Sequence, residues 1–594
     1  MIKCIQTINK KHLYIAISSL LFICAVLIWF PAFFPHLEDI NLWDEAIYIN
    51  MGRQLVEDGT FPTLAWSPLL AWIYGIFFLI TGNHPLWLLV SCSLGRILFF
   101  LLLWIATSLL TMEVAKMSKV IERNEIPGLL SQVVLVIFPF PLLLLTNPSD
   151  ALYAGLLAFA LTFLIRYLYE KTVQNLIISS LLIGMSSLVR NDGWVVYLLI
   201  SGLLVIFGMT KKITLNRLTL FFIPFIVVIS SFILLRGLIT QDYRLHIGDR
   251  TYVAFEQGQQ FVSTSDLGLS SMEGAVLDAR SIYGTPEENE NSVFRAISNN
   301  PDAFIRRLVV IIRGIPTQIV NVYGERLSVV LLGLSVIGMF VLLRAHYFDV
   351  AMIFVLIFLS LGVYLITFFR VGYYLLVSPL VVTLCTTGYI AIVKSMRLTT
   401  LLALCVALLT ILIGIIKTND VIIYGAVFLA ILSITPWFIN FITSRLLRMK
   451  GRKSYFAKDA IVVILCIVII MIVRGDKVVT QYQLPGNSPD ERATLAIRNA
   501  VSPGSKVVAG APGAVWMAKM EYATIDTDAL GSSPTAEALY AWLIKNDIKI
   551  IYLDRYMKTD MPIIRELVLE LEKAGHLKLI YGSGSENEGV YQKK

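Results

Sequence analysis

Apolar runs about twenty residues long recur along this 594-residue chain, parted by short polar turns, from near residue 13 to near residue 473. One such run can be buried inside a water-soluble domain, but a dozen cannot. Each is long enough to cross a hydrocarbon layer as a helix, which satisfies its own backbone hydrogen bonds. Composition agrees: 57% of residues are hydrophobic, 15% are charged, and the mean hydropathy is +0.75. The expected class is a polytopic α-helical membrane protein of about 13 transmembrane helices.

The expected spans cover residues 13–34, 85–111, 128–145, 151–169, 176–189, 195–209, 218–235, 327–343, 350–369, 373–393, 401–416, 421–442 and 460–473. Two long polar stretches interrupt them, at 35–83 and 236–326. Within the first, 45–55 and 68–80 have helical spacing but are too short to span, which predicts helices lying along the interface. Residues 1–475 are read as one transmembrane domain.

The net charge of +8 is no nucleic-acid signal. Its basic residues fall in small clusters on alternate turns, such as Lys10-Lys11, Lys211-Lys212 with Arg217, and 445–453. With the amino terminus in the cytoplasm nearly all of these lie inside, as cytoplasmic loops require. That orientation predicts a plasma (inner) membrane protein with Asp44, Arg190, the 236–326 stretch, Arg370 and the tail outside. The first apolar run lacks a small-x-small cleavage site and is read as an uncleaved helix. The six cysteines sit at the amino terminus or in apolar runs, so no disulfide framework is expected.

Beyond residue 476 the pattern changes. Strand-like runs at 506–509, 548–553 and 577–581 alternate with helical patterns at 536–545 and 562–573. This predicts an extracytoplasmic α/β domain over 476–594. Gly582-Ser583-Gly584 resembles part of a phosphate loop, but no helix pattern comes after it, so it reads as a turn.

Polar residues gather at the expected outer face in four sets. Asp44 and Glu45 follow the first span; a carboxylate sheltered by Trp43 and Tyr48 suits a general base, while capping a juxtamembrane helix is the plainer alternative. Asp150, in Asn147-Pro148-Ser149-Asp150, either holds a metal or acceptor or caps the next helix. Arg190, in Arg190-Asn191-Asp192-Gly193, is an outside arginine that calls for a partner, a phosphate or Asp192. Arg370 precedes Tyr373-Tyr374 and suits either a phosphate leaving group or an external carboxylate. Arg306 and Arg313, seven residues apart, share one face of a helix expected at the interface. His36, Glu38, Asp44 and Asp150 are candidate ligands for a divalent metal, whose involvement is left open; no other cofactor is expected. No HExxH, Walker or GxSxG motif is present.

The run WDEAIYINMGRQLVEDG, the proline-led SPLLAWIYGIFFLITG, the span bearing Arg96 and the later TFFRVGYYLLVSP together resemble the C-type integral-membrane glycosyltransferases. The likeness is to the protein O-mannosyltransferase and lipid A aminoarabinose transferase branch. It implies a polyprenyl-phosphate sugar as donor and a lipid, glycan or protein hydroxyl as acceptor, with membrane lipids as the surroundings. It further implies inversion at the anomeric carbon. The family's first-loop aspartate falls on Asp44, beside Glu45. Its second-loop acidic position falls on Asp150, and its phosphate-facing arginine on Arg370, with Arg190 second choice and Tyr373 nearby. The family's Lys-Pro-Pro is here Trp66-Ser67-Pro68, so Arg53 or Arg370 would have to supply the missing cation. The rival readings are a polysaccharide polymerase or ligase, and a secondary transporter; against the latter, charges gather at span ends and no internal repeat is visible.

Overall fold

The structure is a computed structural model. It describes residues 10–393 and 489–594 except 38–44, 61, 63–67, 83, 118–124, 139, 211–212, 244–248, 261, 263–271, 323–325, 369–370, 526–533, 555–556, 558–560 and 583–588. The described residues divide into two compact units. One takes those in Met1–Phe30, Thr63–Leu69 and Ile97–Thr480, the other those in Pro31–Pro62, Leu70–Arg96 and Gln481–Lys594.

Among the described residues six helices are long and apolar enough to cross a membrane: Trp87–Met117, Pro148–Glu170, Asp192–Met209, Asn216–Thr240, Phe348–Ile366 and Gly372–Ile392. Shorter apolar helices include Tyr14–Ile28, Glu125–Ile137, Val173–Val189 and Val330–Arg344. Each of the ten expected spans up to residue 393 meets a helix. The expected spans at 401–416, 421–442 and 460–473 lie outside the described residues. Two spans are broken at proline. The first divides into Lys10–Ile28 and Phe30–Phe33 at Pro31, and the third into Glu125–Ile137 and Phe140–Leu145 at Pro139 and Pro141. Proline lacks the amide hydrogen and its ring collides with the preceding turn.

In the first unit Ser378–Val393 is buried along most of its length. It packs on Arg326–Arg344, where Gly338 and Gly388 let the two backbones touch; a Cβ on either would run into the opposite helix. Thr111 and Thr383 hydroxyls bond at 2.9 Å, and the Ser335 hydroxyl donates to the Val381 carbonyl at 3.0 Å. Leu215–Thr240 shows the opposite character. Ile223, Ile226, Val227, Leu234 and Leu238 on it are all exposed, a face suited to lipid. Pro224 interrupts its ladder, and the Ser180 hydroxyl repairs the gap, donating to the Phe221 carbonyl and accepting from the Phe225 amide at 3.1 Å.

The polar stretch after this helix is itself helical, with Asp249–Gln257, Met272–Tyr283, Val293–Asn299 and Pro301–Val322. The last is amphipathic. It exposes Ile305, Val309, Val310 and Ile312 with Arg306 and Arg313, as expected of an interfacial helix.

In the second unit the two short helices expected after the first span are present as Glu45–Glu57 and Pro68–Thr81. They cross at Gly52 and Gly75, and a Cβ on Gly52 would lie 2.5 Å from the Gly75 amide nitrogen. Tyr74 lies on Gly95 in the same manner, at 2.7 Å from its would-be Cβ.

The tail folds around five strands, β1 (Lys506–Ala509), β2 (Glu521–Ala523), β3 (Ile550–Leu553), β4 (Leu577–Gly582) and β5 (Gly589–Lys593). Their order is β2-β1-β3-β5-β4, with β1 parallel to β2 and β3, and β5 antiparallel to β3 and β4. Val508, Ile551 and Leu553 form a core with Leu539 and Leu543 of Ala536–Lys545 and Val568 and Leu571 of Pro562–Lys573. Gly582 ends β4, while Ser583 and Gly584 lie outside the described residues. The buried Asp554, just past β3, accepts from the Ala511 amide at 2.6 Å and the Met557 amide at 2.8 Å.

Because Gly52 meets backbone, Gly52→Ala should lower stability by about 1–3 kcal/mol through overpacking. Gly202→Ala, on a helical position with nothing within 4 Å, should be neutral or stabilising by up to about 1 kcal/mol. Thermal unfolding of the purified variants in detergent reads the difference, and equal midpoints would refute the close-crossing explanation.

Candidate active site

Asp44 and Arg370, the residues singled out as base and phosphate cation, lie outside the described residues. The residues that follow them in sequence, Glu45 and the segment Val371–Val377, are described.

Glu45 opens helix Glu45–Glu57 and is completely buried. A carboxylate at a helix amino terminus gains from the dipole, but burial in apolar surroundings costs far more unless the charge is met. Arg96, on helix Trp87–Met117, meets it: Nη2 donates to Glu45 Oε2 at 2.7 Å. The other carboxylate oxygen accepts from the Cys92 thiol at 3.0 Å and the Tyr74 hydroxyl at 3.4 Å. Arg96 Nη1 reaches the Ala32 carbonyl at 2.7 Å. Cys92 and Arg96, four apart, share one helical face, so one turn of helix supplies two of the donors. The structure thus uses Glu45 to fasten the start of this helix. Arg96 appeared in the sequence only as an arginine in a span; its partner is 51 residues away.

Arg53 lies two turns further along the same helix. It donates to Asn50 Oδ1 and Glu57 Oε2, each at 2.9 Å, and its side chain is half-buried. His36 comes within 3.9 Å of Glu491, at the start of tail helix Pro489–Ala500.

The second cluster belongs to the other unit and centres on Arg190. Helix Val173–Val189 ends as Arg190 turns extended, and Asp192 begins the next helix. The corner is tight because Gly193 lies against Ser187, its would-be Cβ 2.5 Å from that hydroxyl. Arg190 Nε donates to Asp192 Oδ2 at 2.8 Å and Nη1 to Asp150 Oδ1 at 2.5 Å. Nη2 donates to the Tyr364 hydroxyl at 3.0 Å, which in turn donates to Asp192. The Tyr373 ring stacks on Tyr364 at 3.7 Å between centroids and lies 5.2 Å from the Arg190 guanidinium carbon. Asp192, one of the partners that the sequence offered Arg190, is in contact with it, and Asp150 is a second carboxylate there. Asp150 sits in the first turn of Pro148–Glu170 instead of capping it, and also accepts from Asn147 Nδ2 at 3.3 Å. Tyr364 carried no sequence signal; its hydroxyl joins three elements only after folding.

Two carboxylates around one guanidinium leave this cluster with a formal charge of −1. It can anchor the 3₁₀ segment Val371–Val377, which carries Tyr373, to the ends of three helices. Among the described residues no group of three or more His, Cys, Asp or Glu side chains is placed to hold a metal ion. Of the four candidate ligands, Asp150 is engaged by Arg190, His36 lies beside Glu491, and Glu38 and Asp44 are outside the described residues.

Breaking the buried pair from one side should be costly. Glu45→Gln leaves Arg96 uncompensated and should destabilise the protein by about 3–5 kcal/mol, whereas Glu45→Gln with Arg96→Met should cost much less than the sum of the single changes. Additive losses in thermal unfolding would show that the pair is not a unit.

No family model matches the chain, and no curated protein matches it. Solved structures do. ArnT from Cupriavidus metallidurans bound to undecaprenyl phosphate aligns at a TM-score of 0.53 and 13% identity, over 96% of this chain and 97% of that one. The same protein in the apo state aligns at 0.50 over the same shares, again at 13% identity. An Archaeoglobus fulgidus oligosaccharyltransferase aligns at 0.47 and 12% identity, over 98% of this chain and 74% of that one. With its apolar spanning helices and its sheet-bearing tail, the chain is a multi-pass membrane protein that has the fold of ArnT, the fold of the C-type integral-membrane glycosyltransferases.

Proposed function

We propose that this protein is an integral-membrane glycosyltransferase that moves a sugar from a polyprenyl-phosphate donor to an acceptor hydroxyl at the outer face of the plasma membrane. The observation that carries the reading is the buried Glu45–Arg96 pair immediately after Asp44, in a chain with the ArnT fold. A buried ion pair adds little net stability compared with apolar packing, so its use here is better explained by what it holds in place. That is the start of helix Glu45–Glu57, which in sequence directly follows the residue proposed as base.

The chemistry asks little else of the protein. A polyprenyl phosphate is a good leaving group and needs no general acid. Asp44 takes the proton of the acceptor hydroxyl as its oxygen attacks the anomeric carbon, the bond to phosphate breaks, and configuration inverts. Glu45 acts through Asp44 as a positioning residue. Arg370 supplies the cation for the departing phosphate, and Tyr373, three residues further on in sequence, lies against the Arg190 guanidinium.

Arg53 is better suited than Arg190 to give a second cation. Its partner Glu57 is a partly exposed (i, i+4) residue, and such a pair is worth about 0.3–0.5 kcal/mol. Arg190 would have to leave two carboxylates and a tyrosine hydroxyl. The donor lipid, in this reading, runs along the apolar helices, and the acceptor is a cell-envelope lipid, glycan or protein.

Membranes bearing wild type or Asp44→Asn, supplied with radiolabelled polyprenyl-phosphate sugars and native acceptors, test the assignment. Loss of transfer by about 10²–10⁴-fold in a folded Asp44→Asn protein is expected for a general base. Full activity in that variant would place the base elsewhere.

A further inference from the structure

Helix Pro301–Val322 carries two exposed stripes side by side. Ile305, Val309 and Ile312, spaced four and three apart, make an apolar one. Arg306, Val310 and Arg313 make the second, turned about 100° from the first. The opposite side is buried. Ile311 is enclosed there, and Arg307 donates to the Phe255 carbonyl at 2.9 Å and to the Thr367 carbonyl. The helix is therefore fastened along one side, and through Phe255 it carries Asp249–Gln257 with it.

The two exposed arginines are unusual in what they do not touch. Among the described residues neither has an ion-pair or hydrogen-bond partner. Asp302 precedes Arg306 by four residues, the spacing and order that best favour a pair on a helix surface, and yet the two do not pair. In the orientation expected from the basic clusters this stretch is outside, so the arginines are not there as a topology signal. An anionic partner accounts for them.

The placement of charge beside the apolar stripe decides what that partner is. A protein surface covering this side would have to take two guanidinium groups out of water along with the stripe, at a cost that only well-placed carboxylates offset. A bilayer makes no such demand. The aliphatic stripe enters the acyl region, while the arginine stems run back along it and bring their planar forks to the phosphates. Arg306 and Arg313 are about 10 Å apart along the helix axis, far enough for two separate headgroups.

We propose that this side of Pro301–Val322 is a binding surface for anionic phospholipid, with Ile305, Val309 and Ile312 among the acyl chains and Arg306 and Arg313 on lipid phosphates. The contact seats the 236–326 stretch on the membrane. It stands independently of the glycosyl-transfer reading.

The test uses the full chain in phosphatidylcholine nanodiscs with tracer photoactivatable lipids, and adducts are mapped by mass spectrometry. A diazirine in the acyl chain should label Ile305, Val309 and Ile312. With the diazirine in the headgroup, phosphatidylglycerol should label 301–315 about fivefold or more above phosphatidylcholine, the order expected for a basic residue at an anionic surface. Arg306→Gln with Arg313→Gln should bring that ratio close to one and leave the acyl-chain adducts in place. Arg306→Lys with Arg313→Lys, which keeps the charge, should keep most of the preference. Amide hydrogen exchange over 301–315 checks that the helix persists in each variant, and the single glutamine variants serve if the double one loses it.

No acyl-chain adducts on the stripe in wild type would overturn the proposal, since protein of this chain or a second copy would then cover it. Equal labelling by the two headgroup probes would also overturn it, as would a preference for phosphatidylglycerol that survives both glutamine changes.

Discussion

A carboxylate sealed from water must find a cation, and in this protein Glu45 finds Arg96. Much of the second unit is arranged by that one requirement. The helix beginning at Glu45 has to lie where Arg96, Cys92 and Tyr74 converge on its first turn. Gly52, Gly75 and Gly95 are the concessions that let the helices come so close. Replacing any of the three with a larger residue would push the helices apart at the place where the ion pair needs them together. An interaction that adds little to stability can still decide where a helix begins, and here the helix begins at Glu45.

The same economy appears in the other unit. Arg190 is met by two carboxylates and a tyrosine hydroxyl, and Arg307 by two backbone carbonyls. Both arginines hold backbone segments that a hydrophobic contact would hold less specifically, because a planar fork of donors fixes direction as well as distance. Ser180 does this on a smaller scale, filling the break in a helix ladder made by Pro224. In apolar surroundings these polar groups each fix a joint.

Much of this fold was legible in the sequence, because runs of apolar residues and strand-helix alternation are local signals. The helices at 536–545 and 562–573 and the strand at 506–509 stand where their patterns place them. Strands β2 and β5 were not foreseen: Glu521–Ala523 is too short to show a period of two, and Gly589–Lys593 is specified by its pairing with β3 and β4. The tandem prolines that break the third span were in plain view. At the candidate site the local pairs were readable and the distant ones were not. Arg190 with Asp192 is a two-residue relation, but Arg190 with Tyr364 spans 174 residues and depends on how helices pack. Arg306 and Arg313 drew notice for sharing a face, and both are exposed. Arg307, turned about 100° from Arg306, is the one that points inward.

The most direct measurement is the fate of the donor in purified wild-type protein. Nanodiscs carrying the full chain would be given undecaprenyl-phosphate-linked sugars together with cell-envelope acceptors. Released undecaprenyl phosphate and the anomeric configuration of the product would then be tracked. One undecaprenyl phosphate released for each sugar transferred, with the anomeric carbon inverted, is the expected result. Retention of configuration, or no release from any polyprenyl-phosphate sugar, would contradict it.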